Sequence, residues 1–408
     1  MRHNRKILFF IICFFLLSYF CLISSINGMV ELKPITDNNG STLYVGGSGP
    51  GNYTMIQDAL NDASNGDTIY VYPGIYYERH LIINKSIKLE GQNKSNTIID
   101  GGETNNDILI IEANYVIIQG FTIQRSGFSR NGILILSNNN LISDSYVLDN
   151  AVCGIAIFDS AKENLVQHCY FEGQGWNIYI QGWDEISAQN IISKCYFQGG
   201  TILLSDAQFN QIVNCTLYGG RIDLDVRASN NIVKDCYIES APSDAISIEG
   251  RGNVVESCHI INSDLEGMRI WGDYGGQDTL IKDCKIINSN FSAIIFWGDS
   301  INNIITGCEI VNNREGIAFF GGIERTRVFN NNLSNNIDGI ELWSFSLFNW
   351  FYKNNMMNVE RQIWTQGKIY MFNFFFGNYW SDYDGSGPYQ VYGKFNWDIL
   401  PAKEPYDY

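Results

Sequence analysis

Residues 165–171 read LVQHCYF, and the pattern returns as IISKCYF at 191–197, IVKDCYI at 232–238 and VVESCHI at 254–260. It appears again as LIKDCKI at 280–286 and IITGCEI at 304–310. Each copy carries two apolar residues, two mostly polar ones, a cysteine, a variable residue and an apolar one. Aligned on that last position, the series runs Ile123, Val147, Phe171, Phe197, Leu217, Ile238, Ile260, Ile286, Ile310, Leu333 and Met356, with gaps of 20 to 26 residues. Internal repetition of this period is the mark of a stacked-repeat architecture.

Two further columns share the period. Cys169, Cys195, Cys215, Cys236, Cys258, Cys284 and Cys308 stand two residues before the aligned position, and Asn331 and Asn354 continue them. Five residues earlier come Asn140, Asn164, Asn190, Asn210, Asn231, Asn253, Asn303 and Asn349, with Thr279 and Thr326 on two coils. Another short strand precedes this turn and often follows glycine, as in Gly267-Met268 and Gly339-Ile340. Each unit is therefore two or three short strands separated by turns. One coil alone cannot bury its apolar face; stacked coils pair as parallel sheets and enclose one continuous core. The expected fold is all-β: a single right-handed parallel β-helix of about a dozen coils. The cysteine column reads as small buried apolar residues, because equivalent side chains on in-register parallel strands are badly placed for a disulfide. A linear stack also fails to converge on a metal.

Residues 1–28 carry Arg2, Arg5 and Lys6 before the apolar run Ile7–Ile23, which reads as an export signal or an uncleaved anchor. Residues 29–106 are expected to form an N-terminal cap and the first irregular coils. An amphipathic helix over Thr54–Ala63, with Ile56, Ala59 and Leu60 on one face, closes the open end. Residues 107–361 hold the regular repeats, and the aromatic, turn-rich residues 362–408 a C-terminal cap. The formal charge of −16 disfavours nucleic acid as a partner. Membrane attachment is expected only through the N-terminal segment.

The opening GNYTMIQDALNDASNGDTIYVYPG at 51–74, the repeats and the closing GNYWSDYDG at 377–385 resemble the NosD-like β-helices and the wider group of carbohydrate-binding and sugar-hydrolase β-helices of pectin-lyase-like fold, as in archaeal surface proteins. The resemblance implies an exported or cell-surface protein that meets carbohydrate. It does not bring a copper site with it, since copper needs clustered His, Met or Cys and the four histidines, His3, His80, His168 and His259, are scattered. No cofactor and no metal are expected.

The strand after the glycine turn carries the candidate site. Inward residues such as Ile222, Leu224, Ile246, Ile248, Met268 and Ile270 alternate with outward ones. Outward positions display Asp223 and Asp225, Ser247 and Glu249, Arg269 and Trp271, Ile295 and Trp297, Ala318 and Phe320, and Glu341 and Trp343. Arg227, Arg251, Asp273 and Asp299 extend the same face. Aromatic rings in one column suit the apolar faces of sugars, with acids and arginines for the hydroxyls. Binding of a polysaccharide or cell-surface glycan without turnover is the leading expectation, and a structural or adhesive surface-layer role is the alternative. A lyase or hydrolase using Asp223, Asp225 or Glu249 is the third reading, paired carboxylates being the raw material of glycoside cleavage.

Overall fold

A computed structural model describes residues 40–182, 187–343, 345–365, 372–391 and 396–408. The expected export segment at 1–28 lies outside the described residues.

The chain is a right-handed β-solenoid whose coils contribute to three sheets of 17, 14 and 13 strands among the described residues, parallel except where Tyr389–Gln390 meets Trp397–Asp398 in the first. One coil illustrates the rest. Met268–Trp271 lies in the third sheet, Leu280–Lys282 in the first and Lys285–Ile287 in the second, before Ser292–Trp297 re-enters the third. Each such coil has three short strands, the upper of the two numbers expected. Between first and second sheets the chain turns through one residue of positive φ, such as His168 at 53°, Asp283 at 52° and Lys353 at 53°. Polar residues dominate this corner, and Asn and Asp tolerate the left-handed conformation best.

The inward side chains form a single core. Ile222, Leu224, Ile246, Ile248, Met268, Ile270, Ile294 and Phe296 are all fully buried. Cys169 to Cys308 line the corner after the first sheet as free, buried thiols. Each Sγ lies near two backbone carbonyls, as Cys169 does to Gln167 at 3.3 Å and Ile142 at 3.8 Å. The column is packing, as its register in a parallel sheet requires.

Buried asparagines make up the corners' hydrogen-bond balance. The backbone N–H and Nδ2 of Asn140 both donate to Oδ1 of Asn164 at 2.9 Å. Asn164 repeats this to Asn190 at 3.0 Å, and the ladder continues through Asn210 and Asn231 to Asn253. Thr279 and Thr326 interrupt it, and the Oγ1 of each is buried without a partner. A second ladder takes over where the cysteines stop: Cys308 N–H donates to Asn331 Oδ1, and Asn331 to Asn354, Asn354 to Asn378. It ends on the Asp398 carboxylate, which accepts from Asn378 Nδ2 at 3.0 Å and Trp380 Nε1 at 3.1 Å.

At the N-terminal end the helix spans Ile56–Asp62 with Ile56, Ala59 and Leu60 buried, as its spacing requires. Glu78 caps it, accepting from the backbone N–H of Ile56 at 2.7 Å and of Gln57 at 2.9 Å. Lys85 Nζ closes its other end on the carbonyls of Leu60 and Asn61. Toward the C-terminus the ladder runs on past residue 362, with Phe374–Phe376 and Tyr379–Trp380 pairing in parallel to the preceding coil.

Candidate functional site

The outer face of the third sheet brings most of the candidate residues into two columns. In the first, Asp223 pairs in register with Ser247, Ser247 with Arg269, Arg269 with Ile295, Ile295 with Ala318 and Ala318 with Glu341. Two residues on, Asp225 and Glu249 occupy neighbouring coils, each bonded through its N–H to the coil before. The same column continues through Trp271, Trp297, Phe320 and Trp343. Alternation holds throughout, but the first column is shielded by its neighbours: Ile295 and Glu341 are 3% and 5% exposed.

The rings stack along the axis with uneven closeness. Trp271 and Trp297 have centroids 6.3 Å apart at 28°, Trp297 and Phe320 5.1 Å at 24°, and Phe320 and Trp343 4.3 Å at 31°. Full face contact brings carbon atoms to about 3.5–4.0 Å. The Phe320–Trp343 pair therefore uses up its facing surfaces, whereas Trp271 and Trp297 are offset and leave theirs partly open. Trp297 is 40% exposed. Arg269 lies over the Trp271 ring at 5.3 Å.

The acids sit one coil toward the N-terminus. Burial first, then the Asp225 carboxyl beside it, pushes Glu249 up to about 7. Burial also raises Asp223 despite Arg221, whose Nε donates to it at 2.9 Å. Burial lifts Glu341 as well, while its Oε1 accepts from Trp343 Nε1 at 2.6 Å.

The arginines and turn aspartates are engaged within the chain. Arg227 pairs with Asp206 and Arg251 with Asp278, both at the exposed rim. Arg269 bridges Asp244 at 3.1 Å and Glu266 at 2.5 Å. Asp273 accepts from the N–H of Asp299 at 2.9 Å, and Asp299 from that of Gly322 at 3.2 Å. These two hold the turns in step rather than project freely.

Several neighbours escaped the sequence reading. Asp244, pushed up to about 7 by burial and by Glu266, lies just before its strand and reads there as a turn residue. Arg221 opens the strand that holds Asp223. Phe158, Trp176 and Tyr179 form a second aromatic group, with Tyr179 5.2 Å from Phe158 and 5.1 Å from Trp176. Register places Tyr179 in the first column, two coils before Asp223. Only the pairing reveals this, because repeat lengths vary there. The acids are thus flanked by aromatics on both sides, over eight coil spacings or about 38 Å from the strand Cys153–Ile157 to the strand Asp338–Leu342.

Residues 185–385 match the family model described as periplasmic copper-binding protein (NosD). The described residues do not fit a copper site: no three His, Cys, Asp or Glu side chains among them converge, and the thiols run one per coil in a line. No helix among them is long and apolar enough to cross a membrane. No curated protein matches the sequence. Among solved structures, the siphovirus 9NA tailspike receptor-binding domain shares 9% identity at a TM-score of 0.53, over 86% of this chain and 78% of that one. The catalytic domain of a GH87 α-1,3-glucanase in complex with nigerose shares 15% at 0.51, over 85% and 69%. The ORF18 protein of Geobacillus virus E2 shares 16% at 0.48; 66% of this chain covers 55% of that one, so the chain spans about half its length. At such identities the likeness is one of fold. The chain is a right-handed parallel β-helix, and its residues 185–385, just under half of it, are similar to the NosD family.

Proposed function

We propose that the protein is exported and that the outer face of its third sheet binds a polysaccharide laid along the solenoid axis. The observation that carries this is the offset Trp271–Trp297 pair directly beside the Asp225–Glu249 carboxyls. Offset indoles give sugar rings an apolar surface, and carboxyls at the same level accept hydrogen bonds from hydroxyls. Two proteins of the same fold are a glucanase in complex with nigerose and a tailspike receptor-binding domain, which supports carbohydrate as the ligand class. The periplasmic description of the matched family supports export. The test is glycan-array binding by the chain beside a Trp271→Ala/Trp297→Ala variant of unchanged circular dichroism. Binding lost in the variant is expected; binding by neither points to a structural role for the rod.

The raised Glu249 favours one second reading, hydrolysis of the bound glycan. A carboxyl that keeps its proton near neutrality can protonate the leaving glycosidic oxygen, with Asp225 assisting attack at the anomeric carbon. New reducing ends from a bound glycan, abolished by Glu249→Gln and by Asp225→Asn, would establish it. Binding without new ends leaves the face a binding surface.

A further inference from the structure

The first sheet also shows solvent an unusual face. From Ile117–Gln119 to Phe374–Phe376 each three-residue strand buries its middle side chain and, except at the buried Ile304, leaves the first partly exposed; that position is aliphatic on most coils. Leu141, Leu165, Ile191, Ile232, Val254 and Leu280 follow one another with only Gln211 intervening, each on a strand paired in register with the next. These side chains are half-buried by one another and retain exposure. Beyond Ile304 and Arg327 the stripe ends in Trp350 and Phe374, stacked at 4.4 Å and 40% and 43% exposed.

Charge is depleted on the same face. From Ile117–Gln119 to Phe374–Phe376 these strands carry only Lys234, Glu256, Lys282 and Arg327, in a chain of net charge −16. Glu256 receives both lysines, at 3.2 and 3.1 Å. Charge depletion at an apolar centre is the composition of a protein interface, and a surface patch of this size calls for a partner. We infer that the first-sheet stripe is a self-association surface, on which a second copy of this chain lies side by side.

Two features select a copy of the chain as occupant. The stripe repeats once per coil, about every 4.8 Å, and another solenoid of this kind presents side chains at the same interval along its whole length. The strands of this surface also carry a single acid, Glu256, already paired with two lysines, so two acidic chains can approach there with little repulsion. Its extent is adequate: 11 spacings make about 53 Å, and a strand with its flanking turns about 15 Å, so one copy offers on the order of 800 Å², what each partner gives to a stable complex. The third-sheet face points away and stays open, so this association is independent of glycan binding.

Sedimentation velocity of the chain, followed from about 1 to about 100 µM, tests the inference beside a Leu165→Lys/Ile191→Lys variant. The expected result is a species of twice the chain mass that the variant loses, or forms with a dissociation constant raised at least about tenfold. Both positions point outward, so circular dichroism and melting temperature should be unchanged. If the lysines disturb folding, Leu165→Gln/Ile191→Gln makes the same comparison. A chain that stays monomeric throughout overturns the inference, as does a dimer indifferent to these substitutions. Loss of dimer on Trp271→Ala/Trp297→Ala instead would place the contact on the other face and equally overturn it.

Discussion

The carboxyl of Glu249 faces that of Asp225 on the adjoining coil, and it holds its proton up to about pH 7. Asp244, one coil earlier than its partner Glu266, does the same. Unfolded, these groups lose their protons near 4. Between about 4 and 7 the folded chain therefore binds protons that the unfolded chain has released, and stability falls as pH rises through that window. Asp100 and Glu256, held low by Arg125 and by two lysines, lose stability only as pH falls below the ordinary carboxylate range. His259, lowered by burial, opposes the trend near neutrality as a single group. The urea midpoint should be higher at pH 5 than at pH 7.5, and Glu249→Gln/Asp244→Asn should flatten the difference.

Thr279 is a gap in the asparagine ladder, its hydroxyl buried and unpartnered. An asparagine there would supply an Oδ1 to Asn253 and an Nδ2 toward Asn303, as at the other rungs. Thr279→Asn should raise stability by about 0.5–1.5 kcal/mol, visible as a higher melting temperature. An unchanged or lower one would mean the turn cannot accommodate the longer side chain.

The reverse experiment lies three rungs away. Asn210 accepts from the N–H and Nδ2 of Asn190 and donates to Asn231, all of them buried. Asn210→Ala strands those donors and should cost about 2–4 kcal/mol, the sum of one or two unmade buried hydrogen bonds. Asn210→Asp keeps the acceptor, loses the onward donor and buries a charge, so it should be at least as damaging.

The thiols offer a separate check on burial and on export. Burial pushes Cys153 up to about 12 and raises Cys195 and Cys284 as well. The native protein should be inert to a thiol reagent at pH 8. In denaturant the titre should be eight thiols if the N-terminal segment has been removed, because the cysteines from Cys153 to Cys308 number eight. It should be ten if the segment is retained, since Cys13 and Cys21 then count.

Much of this fold could be read from spacing alone. Leu217 and Phe197 had to point inward because their columns recur, and one register shift would have turned every apolar side chain to solvent. The cap helix was legible for the same reason, through Ile56, Ala59 and Leu60. The candidate site was legible only as a direction. Alternation told which residues of Arg221–Leu224 face out, but it did not tell that Arg269 reaches back to Asp244, or that Trp297 is offset from Trp271 while Phe320 is pressed on Trp343. Those outcomes depend on rotamers and on coils of unequal length, which the pattern does not encode. The outward aliphatics Leu165 and Ile191 were in plain view in the repeat. Their meaning needed the register that stacks them into a stripe.

Asp398 gives the solenoid a direction and a stop. Each ladder asparagine receives from the coil before and gives to the coil after, so the row of amides is one-way, and whatever sits last must receive without giving. A carboxylate does only that: it takes three backbone N–H groups, an amide and an indole, and offers no donor onward. A further coil, or the leading end of another molecule, would find nothing there to continue the row. Self-templated growth into a fibre is the standing hazard of any stack of in-register parallel strands, and in the row through Asn331, Asn354 and Asn378 it is a carboxylate that meets the last donor.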